Sequence, residues 1–391
     1  MAAQFVCYVG ASVYTPSGIV EQGKVLVDEH GKIAEIVGGA ELSVDSEVLL
    51  KDVSGLLLIP GFIDVHIHGG NGFSAMSGEY EHLDGISRFH AANGTTSFLA
   101  TTTTAPIERI ENALSSIAAA VREGVSGAEL IGIHLEGPYI DELRRGAQSK
   151  ADIRKPDGLE IEKLIKVADR QIRLVTLAPE VRGGLEAVRQ LVSLGITVSA
   201  GHSNATYDQV CEAVGCGLNH TTHHFNGMSP LHHREPGLAG AGLMLEELTA
   251  ELICDGIHVH PAVVKLLFDT KGPDHVCMIT DAVTCAGLAD GDYGEVTMHD
   301  GQIYLKDGSS LAGSSLTMIQ ALRNAIRFTG YPLEKLLPSM TMVPARQAGV
   351  SACKGSLEPG KDADFLLLDQ NLEVVATFVR GKAVYRRATD G

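Results

Sequence analysis

From residue 61 to residue 280 the chain alternates two patterns of apolar residues. Short continuous apolar runs of strand length fall at 61–68, 96–101, 130–135, 173–178, 197–201, 219–223, 248–254 and 275–280. Most are separated by longer stretches in which apolar residues recur every three or four positions, such as 107–121 and 185–194. Runs of the first kind suit buried strands, and stretches of the second kind suit amphipathic helices. Asp157 and Ser203 stand where helices could start, and Gly195 and Gly330 where they could stop. Eight strand–helix alternations predict an α/β fold, a (β/α)8 TIM barrel over residues 59–348. A doubly wound sheet is the other arrangement that such alternation allows.

The two ends of the chain read differently. Apolar runs at 24–27 and 33–37 flank the turn sequence Glu29-His30-Gly31-Lys32. Runs at 364–369 and 374–379 are followed by another turn, Arg380-Gly381-Lys382. Two β-rich ends around an α/β middle predict one small β-sandwich domain assembled from residues 1–58 and 349–391. A chain of 391 residues is long enough for a large barrel plus such a satellite. Its 45% apolar and 20% charged residues support a sizeable core, and its 44 glycines suit many tight turns between strands and helices.

Charge narrows the partners. A formal net charge of −17 repels nucleic acid and anionic membrane, so neither is expected to bind. An anionic substrate would need a local basic pocket to overcome that field. The seven cysteines form no CxxC pair, as expected of reduced thiols in the cytoplasm. The stretch from Met1 to Tyr8 has no basic segment followed by a long apolar one, so no export leader is expected. No run of about 18 apolar residues suggests a membrane span.

Residues able to bind metal gather at the C-terminal ends of the predicted strands, where barrel enzymes build their active sites. The first strand ends in Asp64-Val65-His66-Ile67-His68. Positions i and i+2 share a face, so both imidazoles can enter one cavity and hold a transition metal. A pair of hydrogen-bonded structural histidines would give the same pattern. Glu136 ends the third strand beside Gly137-Pro138, and it could reach a metal or pair with Arg144 or Arg145. His202 ends the fifth strand, and Asp281 the eighth, where it could be a ligand or a general base. His223 and His224 end the sixth. They point opposite ways if the strand continues, so only one should line the barrel.

Beyond these residues, the runs HLEGPYI, AGHSNAT, THHFNGM, HREPGLAG, DGIHVH, ITDAV and LAGSSLTM occur in order, followed by GSLEPGKDADFLLLD. Together they resemble the N-acetylglucosamine-6-phosphate deacetylase family of the amidohydrolase superfamily. That resemblance implies a metal-dependent barrel hydrolase that removes the acetyl group from an amino-sugar 6-phosphate. Position by position, it implies that Glu136, His202 and His223 are core metal ligands and that Asp281 is the acid/base. It implies that Asn226 and Gly227 contact the sugar, and that Arg234 and His258 hold the phosphate. Ala147, Gln148, Leu311, Ala312 and Gly313 fall where the family contacts substrate. Some members lack the HxH histidines and bind one metal. With His66 and His68 present, this chain resembles those with two divalent ions, zinc, iron or another transition metal. Many members carry His where this chain has Gln148, which can donate a hydrogen bond but cannot become a cation. The end of the fourth strand offers no lysine for a carbamylated bridge, which leaves Glu136 as the bridging carboxylate.

The resemblance also implies a homodimer in which phosphate-binding residues can come from across the interface. Arg234 could instead pair with Glu235 on the surface. Three further readings stay open. The motifs of an N-acetylgalactosamine-6-phosphate deacetylase are close. Other amidohydrolases would share the barrel and the HxH pair without needing HREPGLAG. A barrel that had lost its chemistry could serve as a non-catalytic scaffold.

Overall fold

The computed structural model describes residues 5–39 and 48–388. The outermost residues of the two terminal segments, including the first four of Met1 to Tyr8, lie outside the described residues. Eight parallel strands form the central sheet. They are β1 (Phe62–Ile67), β2 (Thr95–Thr101), β3 (Glu129–Glu136), β4 (Ile172–Leu177), β5 (Thr197–Ala200), β6 (His220–Thr221), β7 (Thr249–Ile253) and β8 (Val276–Ile279). They pair in chain order. The ring closes where Asp281 N–H donates to the His66 carbonyl at 2.9 Å and Ala282 bridges Ile67. The chain therefore adopts a barrel, not a doubly wound sheet. Every residue of β1, β2, β7 and β8 is buried. Strands covered by helices outside and side chains inside require continuous apolar runs of this kind.

The helix over Ile107–Glu123 buries Ile110, Ala113, Leu114 and Ile117 against the sheet, a spacing that puts them on one face. Asp157 caps the helix Gly158–Val167 by accepting from the Leu159 and Glu160 amides. Gly330 ends the helix Met318–Thr329 with a left-handed φ of 72°. Ser203 is not a cap, because Thr206 caps the next helix, Tyr207–Gly215. Ser203 Oγ donates instead to Glu180 at 2.7 Å.

The terminal strands combine into one eight-stranded sheet. Leu57–Pro60 lies between Val6–Thr15 and the C-terminal strand Phe365–Leu368, and it runs on almost directly into β1. The sheet curls, because Ala363 N–H donates to the Gly31 carbonyl across the two ends of the chain. It encloses a core in which Phe365 stacks on Phe378 at 4.4 Å and Tyr8 meets Phe365 edge-on. A three-stranded antiparallel flap, Gly291–Tyr293, Val296–His299 and Gln302–Leu305, follows β8; the strand pattern had not predicted it.

Lys354 ties the terminal sheet to the barrel. Its side chain is 3% exposed, and the ammonium lies 2.6 Å from Asp364, 2.7 Å from Glu129 at the start of β3 and 3.0 Å from Asp362. Glu129 also pairs with Arg380 and Asp362 with Lys32, but removing the Lys354 cation leaves the buried Asp364 without an ion-pair partner, which typically costs about 3–5 kcal/mol. Lys354→Met is therefore expected to lower stability at neutral pH by roughly that amount. Denaturant unfolding would read it, and a loss below about 1 kcal/mol would mean that the carboxylates find other partners.

Candidate active site

The ends of β1, β3, β5, β6 and β8 turn ionisable side chains into the mouth of the barrel. On β1, Asp64 accepts from Thr280 Oγ at 2.6 Å and so links the first strand to the last. Burial pushes its carboxyl up to about 7. His66 follows two residues later on the same face, and His68 lies just beyond the strand. Glu136 is the last residue of β3. His202, His223 and Asp281 each follow a strand with positive φ, at 46°, 29° and 52°. Non-glycine residues adopt this conformation uncommonly, and here the surrounding structure holds three of them in it at the cavity. The turn at His223 also corrects the expected sixth strand. β6 ends at Thr221, so His223 and His224 part because the backbone turns, not because a strand alternates. His223 faces the cavity, while His224 is buried behind it against Gly242 and hydrogen-bonded to Thr221.

Six side chains converge at these ends. Glu136 Oε1 lies 3.2 Å from His202 Nε2 and 3.3 Å from His223 Nε2, and the two imidazoles are 3.1 Å apart. His66 Nε2 lies 3.2 Å from His68 Nε2, and Asp281 Oδ1 lies 3.5 and 3.3 Å from them. Glu136 reaches both groups, with Oε1 3.4 Å from His66 and Oε2 3.3 Å from His68. It does not pair with Arg144, which donates to Asn204, or with Arg145, which donates to the Gln148 carbonyl.

Hydrogen-bond bookkeeping on the far side of the rings fixes what these atoms present. His66 Nδ1 meets the Glu251 carboxylate, His202 Nδ1 the Arg144 carbonyl and His223 Nδ1 the Asn226 carbonyl. All three partners are acceptors, so each Nδ1 carries a hydrogen, and each ring in its neutral form offers a lone pair at Nε2. Bare lone pairs repel one another and the carboxylates beside them unless a cation lies among them. Ligands about 2.0–2.1 Å from a tetrahedral cation sit about 3.4 Å from each other, close to the spacings found here. The two trios thus fit divalent cations in both donor chemistry and spacing. A third grouping, His66, His134 and Glu251, does not fit. His134 has both ring nitrogens engaged, by the Val65 carbonyl and by Thr176 Oγ.

A cavity of about 840 Å³ opens above these atoms. Ala147, Gln148, Asn226 and Gly227 line it, with His258 and the segment Leu311, Ala312 and Gly313. Gln148 is clamped. Its Oε1 accepts from Thr103 Oγ and from the Thr104 amide, both at 2.7 Å. An amide N–H can only donate, so the carboxamide orientation is forced, and Nε2 donates to Glu136 Oε2 at 2.6 Å. Gly313 has φ of 65°, and a Cβ there would meet Val283 at 2.3 Å. Burial works against a cationic His258, but the Asp255 carboxylate 2.6 Å away outweighs it, and the His258 pKa rises. The Asp281 carboxyl is pushed up by burial and pulled down further by His66 and His68, so it ends below the ordinary value.

Arg234 is not brought to this cavity. It is exposed, with its guanidinium 2.7 Å from His233 Nε2 and not on Glu235. Among the described residues, Arg109 is the one Lys or Arg that lines the cavity. Glu251, in the middle of β7, is fully buried against His66, and no local sequence motif points to it. Its only signal is that of a lone acid inside the apolar run Thr249–Ile253.

Residues 57–384 match the amidohydrolase family. The chain is 38% identical to an N-acetylglucosamine-6-phosphate deacetylase from Vibrio furnissii over 93% of this chain and 91% of that one. It is also 38% identical to an N-acetylgalactosamine-6-phosphate deacetylase from Escherichia coli O157:H7, over 91% and 95%. In structure it is similar to a mutant N-acetyl-D-glucosamine-6-phosphate deacetylase from Mycobacterium smegmatis solved in complex with N-acetyl-D-glucosamine-6-phosphate. The TM-score is 0.91 at 32% identity, covering 97% of this chain and 99% of that one.

Proposed function

The chain belongs to the amidohydrolase family, and from that premise we propose that it hydrolyses the acetamide of N-acetylglucosamine 6-phosphate to glucosamine 6-phosphate and acetate. The observation that carries this reading is the convergence of the Nε2 atoms of His66, His202 and His223 on Glu136 at the floor of a sugar-sized cavity. An intact constellation of this kind argues against a non-catalytic scaffold.

Glu136, His202 and His223 would hold one divalent ion, zinc, iron or another transition metal. His66, His68 and Asp281 would hold a second, with Glu136 shared between them. When bound, such ions supply Lewis acidity and lower the pKa of a water toward about 7. Asp281 accepts the proton of the attacking water and later returns it to the departing amine nitrogen, serving first as base and then as acid. Its Oδ1 meets the two imidazoles, which leaves Oδ2 for the proton. Gln148 uses one amide hydrogen on Glu136 and has a second for the acetyl oxygen as negative charge develops there. Asn226, Gly227 and Ala147 shape the sugar site, as do Leu311, Ala312 and Gly313, and His258 meets the phosphate from within the cavity.

The second phosphate contact comes from a homodimer, as Arg234 of the partner subunit. Two observations support this: Arg234 stands outside its own cavity, and exposed apolar Leu231 and Met244 flank its loop. The seven free thiols suit a reducing cytoplasm, and among the described residues no helix is long and apolar enough to cross a membrane. The equally similar galactosamine enzyme favours N-acetylgalactosamine 6-phosphate as a second reading.

Acetate release from the two sugar phosphates and from unphosphorylated N-acetylglucosamine tests the proposal, together with metal analysis of the protein. The glucosamine epimer should be turned over fastest and the unphosphorylated sugar slowest, with two ions bound per chain. Replacing both His66 and His68 with Ala should bring bound metal down to about one ion per chain. Unchanged metal content would make the HxH pair structural, and preference for the galactosamine epimer would replace the substrate assigned here.

A further inference from the structure

We propose that Glu251 is a positioning residue that couples the two ion sites, holding one ligand of each from behind. The inference rests on the metal-binding reading above. Glu251 is fully buried in β7 and does not line the cavity, so it acts only through its neighbours. Its Oε2 accepts from His66 Nδ1 at 3.0 Å and from the backbone N–H of His223 at 3.0 Å. Its Oε1 accepts from His220 Nε2 at 3.1 Å. His66 belongs to one trio and His223 to the other.

The two contacts on Oε2 do different work. An ionised carboxylate only accepts, so the first keeps a hydrogen on His66 Nδ1 and turns Nε2 toward His68, Glu136 and Asp281 as the atom that can bind an ion. The second pins the backbone where the chain leaves β6 and His223 takes a φ of 29°. That turn sets where the His223 ring lies relative to His202 and Glu136. His220, on the other oxygen, keeps the carboxylate from rotating away. A shift of this one side chain would therefore disturb a ligand in each trio at once.

The test is a titration of the demetallated full-length protein with Co(II), followed by visible absorption, with bound metal counted by elemental analysis. Wild type is expected to take two ions per chain. Glu251→Gln keeps the shape but removes the charge and one acceptor. Both ions should then bind about 10- to 100-fold more weakly, the usual loss when a ligand's hydrogen-bond partner is changed. The visible bands should shift, while the metal-free variant melts close to metal-free wild type. If Glu251→Gln does not fold, Glu251→Asp carries the same titration, since it keeps the charge and withdraws the carboxylate by one methylene. Weakening of neither ion, or of only one, overturns the coupling. A wild-type chain that takes no cation overturns the metal reading itself, a result distinct from both.

Discussion

Asp281→Asn is expected to lower kcat by about 10²- to 10⁴-fold, the range for loss of a positioned acid/base. The substitution is unusually clean at this position. Asp281 holds a φ of 52°, a left-handed conformation that Asn also tolerates. Its backbone is fixed independently of the side chain, by donation to the His66 carbonyl at 2.9 Å and acceptance from the Ser314 amide at 2.8 Å. An Asn oxygen can still face His66 and His68, so bound metal should fall far less than turnover. An amide cannot take up a proton at neutral pH, and the proton needed by the leaving amine then has no carrier. Metal analysis beside single-turnover kinetics separates the two effects. Near-normal turnover would mean that another group moves the proton, and loss of both ions would make Asp281 chiefly a ligand.

The parts of this site that were legible in the sequence are those set by a local period. Asp64 and His66 share a face because strand residues alternate, and His68 keeps that period one residue past the strand's end. The eight apolar runs likewise report burial on both faces, which only a covered parallel sheet requires. The parts that were not legible depend on contacts between distant segments. The apolar run of the sixth strand continues two residues past the strand's C-terminal end, because the turn at His223 is imposed by Glu251 from the neighbouring strand and not by a Gly or Pro. Ser203 has the composition of a helix cap, but Glu180 claims its hydroxyl. Glu251 itself is one acid in an apolar run, and nothing nearby in the chain says which histidine it faces. The flap after β8 has short strands in polar surroundings, where periodicity is weak.

Arg234→Ala should lower kcat/KM for the 6-phosphate by about 10- to 100-fold, the worth of a charge-assisted contact to a phosphate. It should scarcely change the slow rate on the unphosphorylated sugar, whereas a folding defect would lower both. The placement of Arg234 makes a sharper test possible. Its guanidinium rests on His233 outside the cavity, and with a net charge of −17 the protein field opposes phosphate, so Arg234 would add a cation to the Arg109 already lining the cavity. If that cation comes from the partner, each site in the homodimer needs Asp281 from one chain and Arg234 from the other. Chains carrying only Asp281→Asn, or only Arg234→Ala, are then both impaired as homodimers. Denatured together and refolded in equal amounts, half of the dimers should be mixed. In each mixed dimer one site combines an intact Asp281 with the intact Arg234 of the partner subunit. The mixture should therefore recover roughly a quarter of wild-type activity on the 6-phosphate, as random pairing in a two-fold dimer requires. If Arg234 serves its own chain, every site in the mixture lacks one of the two residues and nothing is regained. Equal losses on both sugars for Arg234→Ala alone would make the residue structural, and the phosphate would have to be held by His258 and Arg109 from within one chain.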